Sequence, residues 1–399
     1  MGPEVMSRDR TQFEARAIMR PVSSTLRGTD RPLCEIYDVA LLDLDGVVYI
    51  GRDAVPNAPA ALASAREHGM HLAFVTNNAA RPPVEVAAHL TELGIQAEAE
   101  EVITSSQAAA RWLSDHLDTG ARVLVVGTTG LRVALEERGL TPVDDASSPV
   151  DAVVQGYSPT LDWALLAEGA VAINSGAVWV ATNVDPTVPS PRGPLPGNGS
   201  LVAALKHATG AEPVVTGKPD PTMHRETLIR TGARKPIVVG DRLDTDIEGA
   251  NAAECPSLLV FSGVTTPAEL LVAPPDLRPT YLGADVGALL TAQPEPEPID
   301  VGARCGRWIA VRADEGLELR SASTDGRHDR STGDGSPAAG DGDALDDDAL
   351  DALRVLCAVH WANGGATADD EAAATAAVVV HAAAGDDAAS GMVKRLGLG

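Results

Sequence analysis

Two carboxylates stand one residue apart in "LLDLDGVVY" (41–49), directly behind an apolar run. If the strand continued through them, Asp43 and Asp45 would point the same way, and like charges that close raise a pKa. The repulsion is tolerable if a divalent cation sits beside the pair and one member must hold a proton. Further polar groups close later apolar runs: Thr76 in "FVTNN", Lys218 in "TGKPD", and Asp241 with Asp246 in "VVGDRLDTDIEGA". Together they supply the parts for phosphoryl transfer through a covalent intermediate. Asp43 can attack phosphorus. Asp45 can protonate the leaving alcohol and then deprotonate the incoming water. Thr76, with Asn77 beside it, and Lys218 can hold phosphoryl oxygens. A carboxylate attacking a phosphate dianion needs strong charge neutralisation, from Lys218 and an oxygen-bound Mg²⁺. Asp241 can complete the metal site, with Asp246 orienting it as a ligand or from behind.

These residues need elements that bring them together. "VALLDLD" (39–45), "APAALASAREHG" (58–69) and "LAFVTNN" (72–78) read as strand, crossover helix and strand, hence parallel strands in an α/β sheet. The pattern continues through "RVLVVG" (122–127), "DAVVQGY" (151–157), "VWVATN" (178–183), "PVVTGKP" (213–219), "PIVVGD" (236–241) and "SLLVF" (257–261). Asp and Asn recur at strand ends, where ligands bind in open α/β sheets. Tyr157, Asn183 and Asp185 close such runs and are candidate substrate contacts. The Pro/Gly-dense "DPTVPSPRGPLPGNGS" (185–200) reads as a long loop entering a helix. Trp163 and Trp179 read as core residues of this middle region.

The chain has 399 residues, of which 44% are hydrophobic, enough for two or three folded domains. With only 3% aromatics, the core must rest on Ala, Val and Leu. A net charge of −25 argues against nucleic-acid or anionic-membrane partners, both of which need a basic face. Four scattered cysteines form neither a disulfide framework nor a zinc site, which suits a reducing cytoplasm. No apolar run is long enough for a membrane span, and no secretory h-region follows the N-terminal basic residues.

The four motifs, in this order, resemble the haloacid dehalogenase superfamily, and specifically its large-cap (type IIA) phosphatase subfamily. The resemblance covers about residues 36–290 and includes "ATNVDPTVPSPRGPLPGNGS" as the cap and the return from it. It implies a Rossmann-like parallel-sheet core with an inserted α/β cap, Mg²⁺ dependence, and Asp43 as nucleophile. It also implies a metal held by the Asp43 carboxylate, the Asp45 carbonyl and Asp241. An Asp two residues after the nucleophile goes with phosphatases and phosphomutases in this family. The cap implies a small phosphorylated metabolite, glycerol 3-phosphate first among them. Phosphoglycolate, sugar phosphates and nucleoside monophosphates are the alternatives, and a non-catalytic phosphate-ligand sensor is the different-class one. Caps of this kind often pair, so a homodimer through the cap is a further expectation.

The expected organisation is a disordered tail over 1–35, core over 36–82 and 214–292, and cap over 83–213. A small C-terminal α/β extension follows over 300–365, with a disordered acidic insert at 323–348 and an Ala-rich tail at 366–399. Within the extension, 307–322 reads as a hairpin, and 349–365 and 370–385 as helices. The extension resembles an incomplete acetyltransferase-like module. Its nearest Gly-containing phosphate loop, "KRLGLG" (394–399), has no following helix, so acetyl-CoA binding is not expected.

Overall fold

Every side chain of strand Val39–Leu42 is buried, because both faces of its sheet are covered. Ala40 and Leu42 pack with Leu62 of helix Ala58–Glu67 on one face. Val39 and Leu41 pack with Met223 of helix Thr222–Thr231 on the other. That two-sided burial explains why the strand reads as a continuous apolar run. The computed structural model describes residues 26–188, 192–322, 345–362 and 378–399.

The core sheet has six parallel strands in the order Tyr281–Gly283, Ser257–Val260, Pro236–Gly240, Val39–Leu42, His71–Thr76, Val102–Thr104. Leu42 is in register with Val239 on one side and Phe74 on the other. The residues at or just beyond these three strand ends, Asp43, Asp241, Thr76 and Asn77, therefore share one edge. A second parallel sheet, in the order Val214–Val215, Val178–Ala181, Ala152–Gln155, Arg122–Val126, Thr141–Val143, forms the cap. Strand Val102–Thr104 hydrogen-bonds into the core sheet, and Val86, Ala87 and Leu90 join the core cluster. The segment from 83 to 104 thus lies with the core, and the cap is entered along helix Ser105–His116.

The third sheet runs Glu297–Ile299, Gly302–Cys305, Trp308–Ala313, Gly316–Ser321, Val380–Ala382. Its middle contains the expected hairpin. Leu259, Leu271 and Leu282 of the core pack in one cluster with Trp308, Leu353 and Met392 of the extension. Arg354 donates to the Leu282 carbonyl and Trp361 Nε1 to the Leu271 carbonyl.

Several boundaries differ from the sequence expectation, because long-range burial overrides local composition. From Leu26 onward the first segment is packed, with Leu26 buried and the Arg27 N–H bonded to the Thr280 carbonyl; residues 1–25 lie outside the described residues. Asp347 and Asp348 open helix Asp347–Ala362 rather than ending the acidic insert, of which 323–344 lie outside the described residues. Val380–Ala382 pairs as a strand with Gly316–Ser321 where a helix is expected, and helix Asp387–Arg395 buries Ala389, Met392 and Val393. The described part of the Ala-rich tail therefore belongs to the extension. Trp179 is buried as expected, but Trp163 is 81% exposed on the cap. The loop after Asp185 contains a short pair, Thr187–Val188 with Leu195–Pro196.

Candidate active site

The strand ends at Leu42, so the two carboxylates of the opening motif do not share one environment. The Asp43 N–H still bonds to the Val239 carbonyl at 2.9 Å. Beyond it the chain turns tightly: the Val48 N–H bonds to the Leu44 carbonyl at 2.9 Å and the Gly46 N–H to the Tyr49 carbonyl at 2.8 Å. Asp43 is thereby turned inward and Asp45 is left at the solvent-exposed mouth.

Lys218 binds the inward cluster together. Its Nζ donates to Asp43 Oδ1 at 2.5 Å and to Asp246 Oδ1 at 2.6 Å. Burial by itself would lower the lysine pKa, but Asp246 and Asp43 outweigh it and hold the ammonium charged. Asp43 is pushed well up, first by burial and then by Asp246 and Asp241, with Lys218 opposing. Asp241 is pushed up to about 7, by burial and then by Asp246. Asp45 is also raised: the concave mouth desolvates its carboxyl although the residue keeps solvent contact, while Lys218, Arg81 and His89 pull the other way.

Asp43, Asp241 and Asp246 place carboxylate oxygens within 4.8 Å of one another. With all three ionised, Lys218 offsets one charge and leaves two negative charges, which one divalent cation would balance. Asp241 Oδ1 is buried without a hydrogen-bond partner, and such an atom is costly unless a ligand reaches it. The donors are all oxygens, as a hard cation requires. The residues present therefore fit Mg²⁺.

The sequence reading misses what shapes this cluster. Asp241 Oδ2 accepts the Val264 N–H at 2.7 Å. A Cβ on Gly263 would lie 1.9 Å from the same oxygen, and one on Gly46, at φ +85°, 2.3 Å from it. Both glycines let backbone close over the carboxylate. Ser262 Oγ donates to the Gly46 carbonyl at 2.7 Å and ties the two loops together. The available signal is the Ser-Gly pair just past strand Ser257–Val260.

The other candidates separate. Thr76 is buried, and its Oγ1 accepts the Asn78 N–H, leaving its own proton to donate. The Asn77 side chain is engaged by the Lys218 backbone rather than left free for phosphate. Asp246 serves Lys218 and the Arg242 N–H. Asn183 has both ends of its amide occupied locally, donating to the Asn77 carbonyl at 2.8 Å and accepting the Asp185 N–H at 3.2 Å. Asp185 faces the Asn77 amide at 3.3 and 3.4 Å. Tyr157 is half-buried just beyond strand Ala152–Gln155.

Two stretches of the chain match family models that divide the site between them. Residues 40–141, with Asp43 and Thr76, match haloacid dehalogenase-like hydrolase, and residues 215–289, with Lys218, Asp241 and Asp246, match a HAD-hydrolase-like model. The D-glycerol 3-phosphate phosphatase of Mycobacterium tuberculosis is 50% identical over 279 residues, covering 68% of this chain and 78% of that one. An acid sugar phosphatase of Staphylococcus haemolyticus is 36% identical over 257 residues, 64% of this chain and 96% of that one. The crystal structure of glycerol phosphate phosphatase from Mycobacterium tuberculosis in complex with magnesium is similar at a TM-score of 0.77 and 40% identity, over 92% of this chain and 99% of that chain. Because the likeness runs through both halves of one assembled strand-end cluster, the chain belongs to the haloacid dehalogenase-like hydrolases.

Proposed function

We propose that the protein is a Mg²⁺-dependent phosphatase that hydrolyses glycerol 3-phosphate through an aspartyl phosphate on Asp43. The observation that carries this reading is the Lys218 bridge. A buried ammonium 2.5 Å from Asp43 Oδ1 opposes the effect of burial on that carboxylate and puts positive charge where phosphoryl oxygens must gather. A pure phosphate sensor has no use for the nearby raised carboxyl of Asp45.

In the first step an Asp43 oxygen forms a bond to phosphorus as the bond to the glycerol oxygen breaks. Asp45 donates its proton to that oxygen, and its raised pKa suits the task. In the second step Asp45 takes a proton from water, the water oxygen bonds to phosphorus, and the Asp43 carboxylate leaves. The Thr76 hydroxyl donates to a phosphoryl oxygen in both steps. Bound Mg²⁺ supplies charge neutralisation; Asp43, Asp241 and the Asp45 carbonyl would hold it, while Asp246 keeps Lys218 in place. Among the cap candidates Tyr157 stays a proposed substrate contact, whereas the hydrogen bonds of Asn183 and Asp185 favour a structural part.

The substrate is supported by the 50% identical Mycobacterium tuberculosis relative, a D-glycerol 3-phosphate phosphatase. A cytoplasmic setting is supported by four free, buried cysteines; no helix among the described residues is long and apolar enough to cross a membrane. Pairing through the cap is supported by the exposed Trp163 and Val171 on one cap helix, and sedimentation velocity tests it.

Phosphate release from a panel of small esters, with and without Mg²⁺, tests the function. Glycerol 3-phosphate should show the highest kcat/KM, above phosphoglycolate, sugar phosphates and nucleoside monophosphates. A clear preference for phosphoglycolate overturns the substrate, and no Mg²⁺-dependent release from any ester overturns the phosphatase.

A further inference from the structure

We propose that Asn77 is a positioning residue that transmits the seating of the cap to Lys218. The proposal rests on the phosphatase reading and deepens it. Asn77 grips both polar groups of one residue: its Oδ1 accepts the Lys218 N–H at 2.9 Å, and its Nδ2 donates to the Lys218 carbonyl at 3.2 Å. The amide thus pairs with the chain as a neighbouring strand would. It fixes the root of the side chain whose ammonium meets Asp43 and Asp246. Asp lacks the donor, Ala lacks both groups, and Gln is one carbon longer, so the chemistry selects Asn.

The same residue collects the connections to the cap. Its carbonyl accepts Ser105 Oγ at 2.6 Å and Asn183 Nδ2 at 2.8 Å, and its Nδ2 also faces Asp185. Ser105 opens the helix that leads into the cap. Asn183 and Asp185 follow cap strand Val178–Ala181. Lys218 lies on the segment returning to the core, three residues after the cap's edge strand Val214–Val215. Asn183 is itself held, because its carbonyl accepts Asn198 Nδ2 at 2.7 Å. The returning segment can lie this close because residue 217 is glycine: a Cβ there would meet the Thr182 carbonyl oxygen at 2.1 Å and Asn77 Oδ1 at 2.8 Å. With the cap seated, Asn183 holds the Asn77 backbone through its carbonyl and Asp185 orients the Asn77 side-chain amide toward Lys218. With the cap displaced, Asn77 loses both partners and Lys218 loses its fixed root. Full charge neutralisation at the phosphoryl group is therefore tied to cap closure.

Two arms test this. Hydrogen–deuterium exchange over residues 216–220 reads the clamp without turnover. Asn77→Ala should speed exchange at the Lys218 amide about 10-fold or more, and Asp185→Ala by a smaller factor; unchanged exchange in both overturns the proposal. The second arm measures phosphate release from glycerol 3-phosphate and from an aryl phosphate. Asn77→Ala should lower kcat by roughly 10- to 100-fold on both esters with little change in KM, and Asn77→Asp should fall between it and wild type. Adding Asp185→Ala to Asn77→Ala should cost almost nothing more. If Asp185→Ala affects glycerol 3-phosphate alone, or if the two losses multiply, Asp185 acts on the substrate and the proposal fails. Wild-type protein inactive on every ester would remove the phosphatase reading, while the exchange arm still decides the clamp.

Discussion

Replacing Gly263 with alanine inserts a methyl where the Asp241 carboxylate stands. The new Cβ would lie 1.9 Å from Asp241 Oδ2, 2.5 Å from its Cγ and 2.6 Å from its Cβ. Non-bonded carbon and oxygen settle at about 3.4 Å, so something must move by roughly 1.5 Å. The Gly263 loop cannot retreat freely, because it also donates the Val264 N–H to Asp241 Oδ2 and the Thr265 N–H to the Asp241 carbonyl. Asp241 is therefore displaced or rotated. Mg²⁺ requires ligand distances of about 2.0–2.1 Å in near-ideal geometry, so a shift of that size removes the ligand. The Mg²⁺ concentration for half-maximal phosphate release should rise about 10- to 100-fold, and kcat at saturating Mg²⁺ should fall about 10-fold. Gly263 has no left-handed φ, so strain in the backbone does not confuse the result, as it would for Gly46→Ala at φ +85°. The assay is phosphate release against Mg²⁺ concentration, with the unfolding midpoint measured alongside. An unchanged Mg²⁺ requirement in a folded Gly263→Ala protein would refute the assignment of Asp241 as a metal ligand.

Three further outcomes follow from the same geometry. Asp45→Asn should lower kcat by on the order of 10²-fold or more, because it removes proton transfer from both steps; near-wild-type turnover in steady-state kinetics would exclude Asp45 as the acid. Ca²⁺ titrated against fixed Mg²⁺ should slow the enzyme, since its longer, looser coordination invites Asp43 to bind with both oxygens and lose its line of attack; a constant or rising rate would contradict this. His224 is buried in helix Thr222–Thr231, with its pKa pushed down to about 3 by burial and by Lys218. The unfolded chain takes up this proton first, so stability is lost as pH falls below about 6.5, by roughly 2 kcal/mol at pH 5. Urea unfolding of wild type and His224→Leu at pH 7 and 5 should show a smaller acid loss in the variant, and equal losses would clear His224.

The clustered carboxylates and Lys218 were legible because each closes an apolar run, and a parallel sheet brings such ends to one edge. Asp43, Thr76 and Asp241 come from adjacent strands in the core order. The Rossmann-like core and its cap were legible for the same reason, since strand and helix alternate in the sequence. Gly46 and Gly263 carried no visible purpose, because a glycine's role here depends on a carboxylate approaching from a distant segment. Asn77 looked like a phosphate ligand because it neighbours Thr76. Its partners lie 141 and 108 residues away, at Lys218 and Asp185, and no local pattern reports them. Val380–Ala382 sits in an Ala-rich stretch with helical composition, yet the open edge of Gly316–Ser321 recruits it as a strand. Trp163 looked like core material by residue type alone, whereas its position as the first residue of a cap helix leaves it in solvent.

The proposed mechanism rests on Asp43 carrying the phosphoryl group. Single-turnover reaction with labelled glycerol 3-phosphate and Mg²⁺, quenched in acid and reduced with borohydride, converts a phosphorylated aspartate to homoserine that peptide mass spectrometry can place. Homoserine is expected at position 43 and absent in Asp43→Asn, and that variant should lose turnover while retaining its fold. Homoserine at position 45, or more than a few per cent of wild-type phosphate release from Asp43→Asn, would contradict it.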